Sequence, residues 1–245
     1  MSSLTDKTNY RIGILGGSFN PVHNDHLSLV NYVRDTLSID KFIIIPNATP
    51  PHKNTCKVDF NSRVEMLKLS GFCSPNYEIS FIEENNAIPH YSYDTLTKLQ
   101  DLYKNSTLFF CMGMDSLLYL DEWKRGLELS TLCNLVVTGR EGYSIDDAHE
   151  KVKPYLNDFA IFEDDSNFYT SQNDKTGHCF VLKRCFNDVS SSKIREELND
   201  FYKIFAKNLD FEKSFANISK LNYCNKYLTK EVIEYIISHS LYKNL

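Results

Sequence analysis

Residues 11–29 read RIGILGGSFNPVHNDHLSL, and this stretch decides the fold. Ile12 to Leu15 is a short apolar run of the length and residue type of a buried parallel strand. Gly16 and Gly17 let the main chain turn sharply and approach a ligand closely, and Asn20-Pro21 carries the turn on. From His26 the apolar residues Leu27, Leu29, Val30 and Val33 recur at helical spacing. Strand, glycine turn and helix start together form a phosphate cradle, because the first N–H groups of a helix lack partners and its dipole favours anions. His23 and His26 stand in that turn. From spacing alone they read equally as capping or surface histidines. As an H-x-x-H metal pair they lack a third ligand at a recognisable zinc spacing. Asp25 suits the dipole of a first helical turn and is expected to point outward, since an inward carboxylate would repel phosphate.

Working outward, Lys41 to Pro46 (KFIIIP) reads as a second buried strand, followed by a loop that holds Pro50-Pro51-His52-Lys53. Two prolines stiffen that loop, so Lys53 is either held at a defined place or is an ordinary solvated lysine. Phe60 to Phe72 is amphipathic, with Val64, Leu67 and Phe72 inward and an end at Gly71; Arg63 reads as surface. Tyr77 to Ile82 is a third strand. His90 to Leu96 (HYSYDTL) opens a helix with Ser92 or Asp94 as its cap. Leu108 to Met112 is a fourth strand, running into Gly113-Met114-Asp115-Ser116-Leu117. An acidic residue at a strand end suits a ribose hydroxyl or a Mg²⁺ site, although Asp115 also reads as a bare helix cap. Trp123 is the single tryptophan; most such residues are core or surface anchors.

Leu135 to Thr138 is a fifth strand with Arg140 after it, and Ser144 to Tyr155 reads as a helix with Pro154 near its end. A polar loop spans Asp164 to Gly177, and Cys179 to Arg184 is a further strand. Val189-Ser190-Ser191-Ser192-Lys193-Ile194-Arg195 places hydroxyls and N–H groups at a helix start, with Arg195 one turn in, which makes a second anion site or a plain helix surface. Residues 199–223 are amphipathic and aromatic around Phe201, Phe205, Phe211 and Phe215, in the manner of a peripheral helix or a homo-oligomer contact. Tyr227 to Tyr242 is a final helix.

The chain has 245 residues, 42% of them hydrophobic and 13% aromatic, which suits a packed core in one large domain or two small ones. A formal charge of −5 argues against a general nucleic-acid binder, which carries a basic face. There is no apolar run of membrane-spanning length, and the opening MSSLTDKTNY has no signal core. Seven cysteines without a C-x-x-C pair, several within apolar runs, read as reduced core thiols of a cytoplasmic protein, with a nuclear location left open.

GGSFNPVHNDHL, PPHK, HYSYDTL, GMDSL with Trp123 downstream, and VSSSKIR resemble, in order, the motifs of the nicotinate/nicotinamide mononucleotide adenylyltransferases, within the wider H-x-G-H nucleotidyltransferase superfamily. Departures are Asp25 at a position where many members have a small residue, His90 and Ser92 in the S-Y-T-x-D-T-L segment, and about twenty extra residues at 199–223. The resemblance covers nearly the whole chain. It implies an α/β fold, a Rossmann-like doubly wound parallel sheet with a small C-terminal helical part, as one nucleotidyltransferase domain with its core at about 10–185 and the helical part at about 190–245. It implies transfer of the adenylyl group of ATP to a pyridine mononucleotide, giving the dinucleotide and pyrophosphate. By the same resemblance, His23, His26, Lys53 and Arg195 are catalytic. Gly16, Gly17, Ser18, Phe19, His23, His26, Gly113, Asp115, Ser191, Ser192 and Arg195 would bind ATP; Gly17, Ser18, Lys53, Tyr91, Thr95, Trp123 and Arg140 would bind the mononucleotide.

A phosphomonoester is already largely dianionic at neutral pH, so it can attack phosphorus without a general base. Catalysis then reduces to in-line positioning and stabilisation of charge, for which His23, His26, Lys53 and Arg195 would supply donors and positive charge. Mg²⁺ is expected through the ATP phosphates, without direct protein ligands. Pantetheine-phosphate or cytidylyl transferases share the H-x-x-H turn, and an inactive nucleotide-sensing or chaperone-like module is a reading from another class.

Overall fold

The computed structural model describes residues 9–48, 58–84, 89–166, 168, 176–186, 189–205 and 217–243. Seven strands, β1 (Tyr10–Gly17), β2 (Lys41–Pro46), β3 (Tyr77–Ile79), β4 (Ser106–Gly113), β5 (Asn134–Gly139), β6 (Ala160–Phe162) and β7 (Cys179–Cys185), form one sheet in the order β3-β2-β1-β4-β5-β7-β6. Every pairing is parallel. Parallel neighbours need crossovers, and these are supplied by α1 (Asn24–Leu37), α2 (Phe60–Leu69), α3 (Ser92–Leu102), α4 (Met114–Leu118) and α5 (Lys153–Phe159). α6 (Ser191–Phe205), α7 (Asn222–Tyr227) and α8 (Lys230–Ser238) complete the chain.

Helices on both faces explain why the strand sequences are continuous apolar runs and do not alternate with polar residues. Successive side chains enter different cores. Leu15, Phe42, Ile44, Phe109 and Phe180 pack with α1, α2, α6 and α8, whereas Ile12, Ile14, Ile43, Ile45 and Phe110 pack with α3, α4 and α5. Gly13 belongs to this packing, since a Cβ there would meet the Phe42 ring at 2.4 Å. The C-terminal helices share the first core through Ile194, Leu198, Ile233 and Ile237.

Strand order reverses between β1 and β4, so their carboxyl ends diverge and leave a crevice, where open α/β sheets bind ligands. Local expectations change too, among them the helix expected over Tyr227 to Tyr242, which is α8 at Lys230–Ser238 with α7 ending at Tyr227. β3 ends at Ile79, not Ile82, because only one further bond, Ser80 N–H to the Ile44 carbonyl, ties it to β2. In place of a helix over Ser144 to Tyr155 there is a 3₁₀ turn at Ile145–Asp147 and then α5, in whose first turn Pro154 sits, where its missing N–H costs nothing. β6 follows at the sheet edge, unforeseen within that polar-flanked segment. Among the described residues no helix is long and apolar enough to cross a membrane.

Candidate active site

The crevice holds an open cleft of about 1460 Å³, its mouth included, under the turn that follows β1. Gly16, Gly17, Ser18, Phe19, His23 and His26 all line it. Phe19 has a φ of 45° and the Asn20-Pro21 peptide is cis, so the chain doubles back before α1 begins. Donors from distant elements capture the carbonyls on the far side of this turn. The Arg63 guanidinium donates to the Ser18 carbonyl at 2.7 Å, Arg195 to that of Asn20 at 2.7 Å, and the Ser191 hydroxyl to that of Pro21 at 3.1 Å. The Tyr242 hydroxyl donates to the Asn20 side-chain oxygen at 2.8 Å.

His23 caps α1, and its ring centroid lies 3.8 Å from that of His26. The His23 main-chain N–H donates to His26 Nδ1 at 3.1 Å. Nδ1 is therefore unprotonated, and a neutral His26 ring carries its proton on Nε2. Burial lowers the His26 pKa to about 4, and burial together with its neighbour lowers that of His23 to about 2. With pKa values lowered this far, each ring favours its neutral form near pH 7, in which it carries one N–H donor and no charge. His23 Nδ1 is buried without a hydrogen-bond partner. Asp25 lines the cleft, contrary to its expected outward direction, because the first turn of α1 opens onto the cavity.

On the opposite wall, Gly113, Ser116, Gly139 and Arg140 line the cleft. Arg140 donates to Asp115 Oδ2 at 2.6 Å, while Asp115 Oδ1 is buried and unpartnered. Gly113 makes room for that oxygen, which a Cβ would meet at 2.5 Å. Ser191, at the start of α6, reaches the lining, as does Phe186 beyond the irregular end of β7. Ser192 and Arg195 stand behind the lining, where the Ser192 hydroxyl accepts from Arg195 at 3.0 Å. Arg195 is thus engaged with the turn itself.

A smaller cavity of about 440 Å³ adjoins the cleft and shares Gly16, Phe110 and Trp123 with it. Asn47, Glu83, Ser92 and Thr95 supply its polar lining. Thr95 donates to Glu83 Oε1 at 2.6 Å, and Glu83 is only 8% exposed. Tyr91 is the cap of α3; its ring is exposed and lies beneath the Lys124 ammonium, 4.5 Å from the centroid. Lys53 lies outside the described residues. Sequence reading put Arg63 on the surface, where the structure buries it, and singled out neither Glu83 nor Phe186. Arg63 had a legible signal: Phe60, Arg63, Val64 and Leu67 share one helical face, and all four are buried.

A doubly wound parallel sheet with a cleft under its H-x-x-H turn and an adjoining pocket walled by Trp123 has the architecture expected of a nucleotidyltransferase. Comparison with known proteins narrows the class. The cytidylyltransferase-like family model matches residues 14–197. A probable nicotinate-nucleotide adenylyltransferase of Shewanella frigidimarina (strain NCIMB 400) is 34% identical over 235 residues, 95% of this chain and 100% of that relative. Another from Shewanella sp. (strain ANA-3) is 36% identical over 188 residues, 77% and 87% of the two chains. Nicotinic acid mononucleotide adenylyltransferase of Plasmodium falciparum complexed with APC shares the fold, with a TM-score of 0.66 at 19% identity over 96% of this chain and 98% of that one. The chain belongs to the nicotinate-nucleotide adenylyltransferase family.

Proposed function

We propose that this protein transfers the adenylyl group of ATP to nicotinate mononucleotide, and more weakly to nicotinamide mononucleotide, in NAD biosynthesis. The observation that carries the reading is the meeting of two cavities at Gly16, Phe110 and Trp123, one beneath the glycine turn and one walled by the tryptophan. Two nucleotides bound there would meet head to head over Gly16.

A phosphate oxygen of the mononucleotide attacks the α-phosphorus of ATP, the bond to the β-phosphate oxygen breaks, and pyrophosphate leaves with that electron pair. The mononucleotide phosphate needs no deprotonation beyond its ordinary state near neutral pH. His26 Nε2–H and the main-chain N–H groups of the turn donate to the phosphates, where donors aimed at developing charge are worth most. Ser191 and the N-terminus of α6 face the same anion from the other wall. Trp123 offers a stacking face to the pyridine ring, and Thr95, with the start of α3, borders its substituent. Lys53 and Arg195 are proposed to reach the phosphates once ATP is present.

In the larger cleft the charged side chains among the described lining residues are Asp25 and Arg140, the latter paired with Asp115. That near-neutral lining fits a divalent cation brought in on the triphosphate, and Asp25 is the lining carboxylate that would face it. Mg²⁺ so held supplies screening of the triphosphate charge and polarisation of the transferred group. We take the chain as one nucleotidyltransferase domain, on the core shared by the sheet and C-terminal helices. A cytoplasmic setting accords with its free thiols, of which Cys111, Cys133, Cys179 and Cys224 are buried.

Incubation of the pure protein with ATP, Mg²⁺ and nicotinate mononucleotide tests the reading. Pyrophosphate and the dinucleotide should appear in equal amounts. ATP binding without either product would make the chain a nucleotide-binding module.

A further inference from the structure

The turn after β1 takes its direction partly from a residue that does not line either cavity. Arg63 is 1% exposed, and its two arms donate to the Ser18 carbonyl at 2.7 Å and the Ala48 carbonyl at 2.9 Å. Burying a guanidinium is costly, and an apolar side chain of similar volume commonly fills such a space with equal or greater stability. What the apolar side chain lacks is the fork of donors, set in one plane, that can span two carbonyls on separate loops.

The geometry of the peptide gives that fork a function. Among the described residues the cis bond is Asn20-Pro21, so the Ser18-Phe19 peptide is trans and its carbonyl and N–H point to opposite sides. Arg63 draws the carbonyl inward, into the protein interior. The Phe19 N–H is thereby turned the other way, and Ser18 and Phe19 both line the cleft. The second arm holds Ala48, just beyond β2, where the chain enters the segment carrying Pro50-Pro51-His52-Lys53.

We propose that Arg63 is a positioning residue for adenylyl transfer, which clamps the phosphate turn to the loop after β2 and aims the Phe19 N–H at the triphosphate. This rests on the adenylyl-transfer reading above. It gives a buried residue of α2 that lines neither cavity control over how the two nucleotides are aligned.

Arg63→Lys keeps the charge but loses the fork, and Arg63→Ala leaves a space that a guanidinium ion can enter. Both are assayed beside the wild type with ATP, Mg²⁺ and nicotinate mononucleotide, below their melting temperatures. For Arg63→Lys, kcat should fall by at least about 10²-fold, the cost of a misdirected transition-state donor. Both KM values should change by less than kcat. Added guanidinium chloride, kept dilute, should restore at least about tenfold of the kcat lost in Arg63→Ala, as expected for a donor returned to its place. Near-normal kcat in Arg63→Lys, a loss that only tracks the folded fraction, or failure of both variants to fold would each overturn the proposal and leave Arg63 a residue of stability. A folded wild type that forms no dinucleotide would instead overturn the adenylyl-transfer reading, whatever the variants do.

Discussion

The two cavities of the site are built by different means. The larger cleft lies under the glycine turn, whose main-chain carbonyls are held by Arg63, Ser191 and Arg195 and whose Asn20 side chain is held by Tyr242. The smaller pocket, proposed above for the pyridine end, has Trp123 and Thr95 in its wall, with Glu83 held by a short bond from Thr95. A main-chain surface reads shape and charge but few substituents, which suits a triphosphate common to many enzymes. A side-chain surface can be altered one residue at a time, which suits the substrate that distinguishes one family member from another. Damage to the first should therefore appear in kcat, and damage to the second in the KM for the mononucleotide.

The largest expected effect tests the first half of that contrast. His26→Ala and His23→Ala should each lower kcat by at least about 10²-fold, the usual cost of a lost oxyanion donor. Steady-state kinetics with a melting curve for each variant decide the matter. Near-normal kcat with reduced stability would return both rings to a capping role.

Trp123→Ala tests the second half. Stacking of a base on an aromatic ring is worth about 1–3 kcal/mol, so the mononucleotide KM should rise about five- to a hundredfold. The KM for ATP should move much less, although Trp123 touches both cavities. A lowered melting temperature with an unchanged mononucleotide KM would make it a core anchor.

Substrate choice comes next in size. The start of α3 offers N–H groups to a carboxylate, which favours the acid mononucleotide by at least about tenfold in kcat/KM, one charge-assisted hydrogen bond. Glu83 opposes this, because its carboxylate lies in the same pocket. Glu83→Gln should widen the preference by about three- to tenfold through loss of a like charge. Rates on the two mononucleotides at fixed ATP and Mg²⁺ give both values, and equal use of acid and amide by the wild type would contradict the role of α3.

The smallest effect concerns pH. Burial lowers both histidine pKa values from 6.5, to about 4 for His26 and about 2 for His23. As pH falls below about 7 the unfolded chain takes up protons first, so stability is lost downward through the pKa of His26. Between pH 7.5 and 6.5 the loss should be on the order of 0.5–1 kcal/mol, read by denaturant unfolding. In a His23→Asn, His26→Asn double variant that slope should flatten.

The same contrast explains what was legible in the sequence. β1, the glycine turn and α1 are local, so the strand, the turn and the helix start could be placed from spacing, and β2, β4, β5 and β7 from their apolar runs, whereas roles for Ser18, Phe19, His23 and His26 came with the motif. Trp123, Arg140 and Ser191 lie in the lining of the larger cleft, and Trp123 in that of the smaller pocket as well. Glu83 was not legible, because a turn residue has no period and only the position of β3 beside β2 brings it to the pocket. Arg63 carried a period but was discounted for its charge, as its carbonyl partners lie 45 and 15 residues away. Arg195 and Ser192 are outside the cleft lining, Arg195 being bonded to the Asn20 carbonyl of the turn and to the Ser192 hydroxyl.

Tyr242 and Asn20 are 222 residues apart in the chain, and Arg195 and Asn20 are separated by 175. Contacts of such span close late, after shorter loops have formed. During synthesis, β1 and its turn leave the ribosome long before the helices that hold the turn in shape. A nascent chain that has formed most of its sheet would therefore not yet grip ATP, and nucleotide binding would come with docking of α6 and the segment after α8. Binding of a fluorescent ATP analogue during refolding would thus report the final tertiary step, with the appearance of helical signal preceding it.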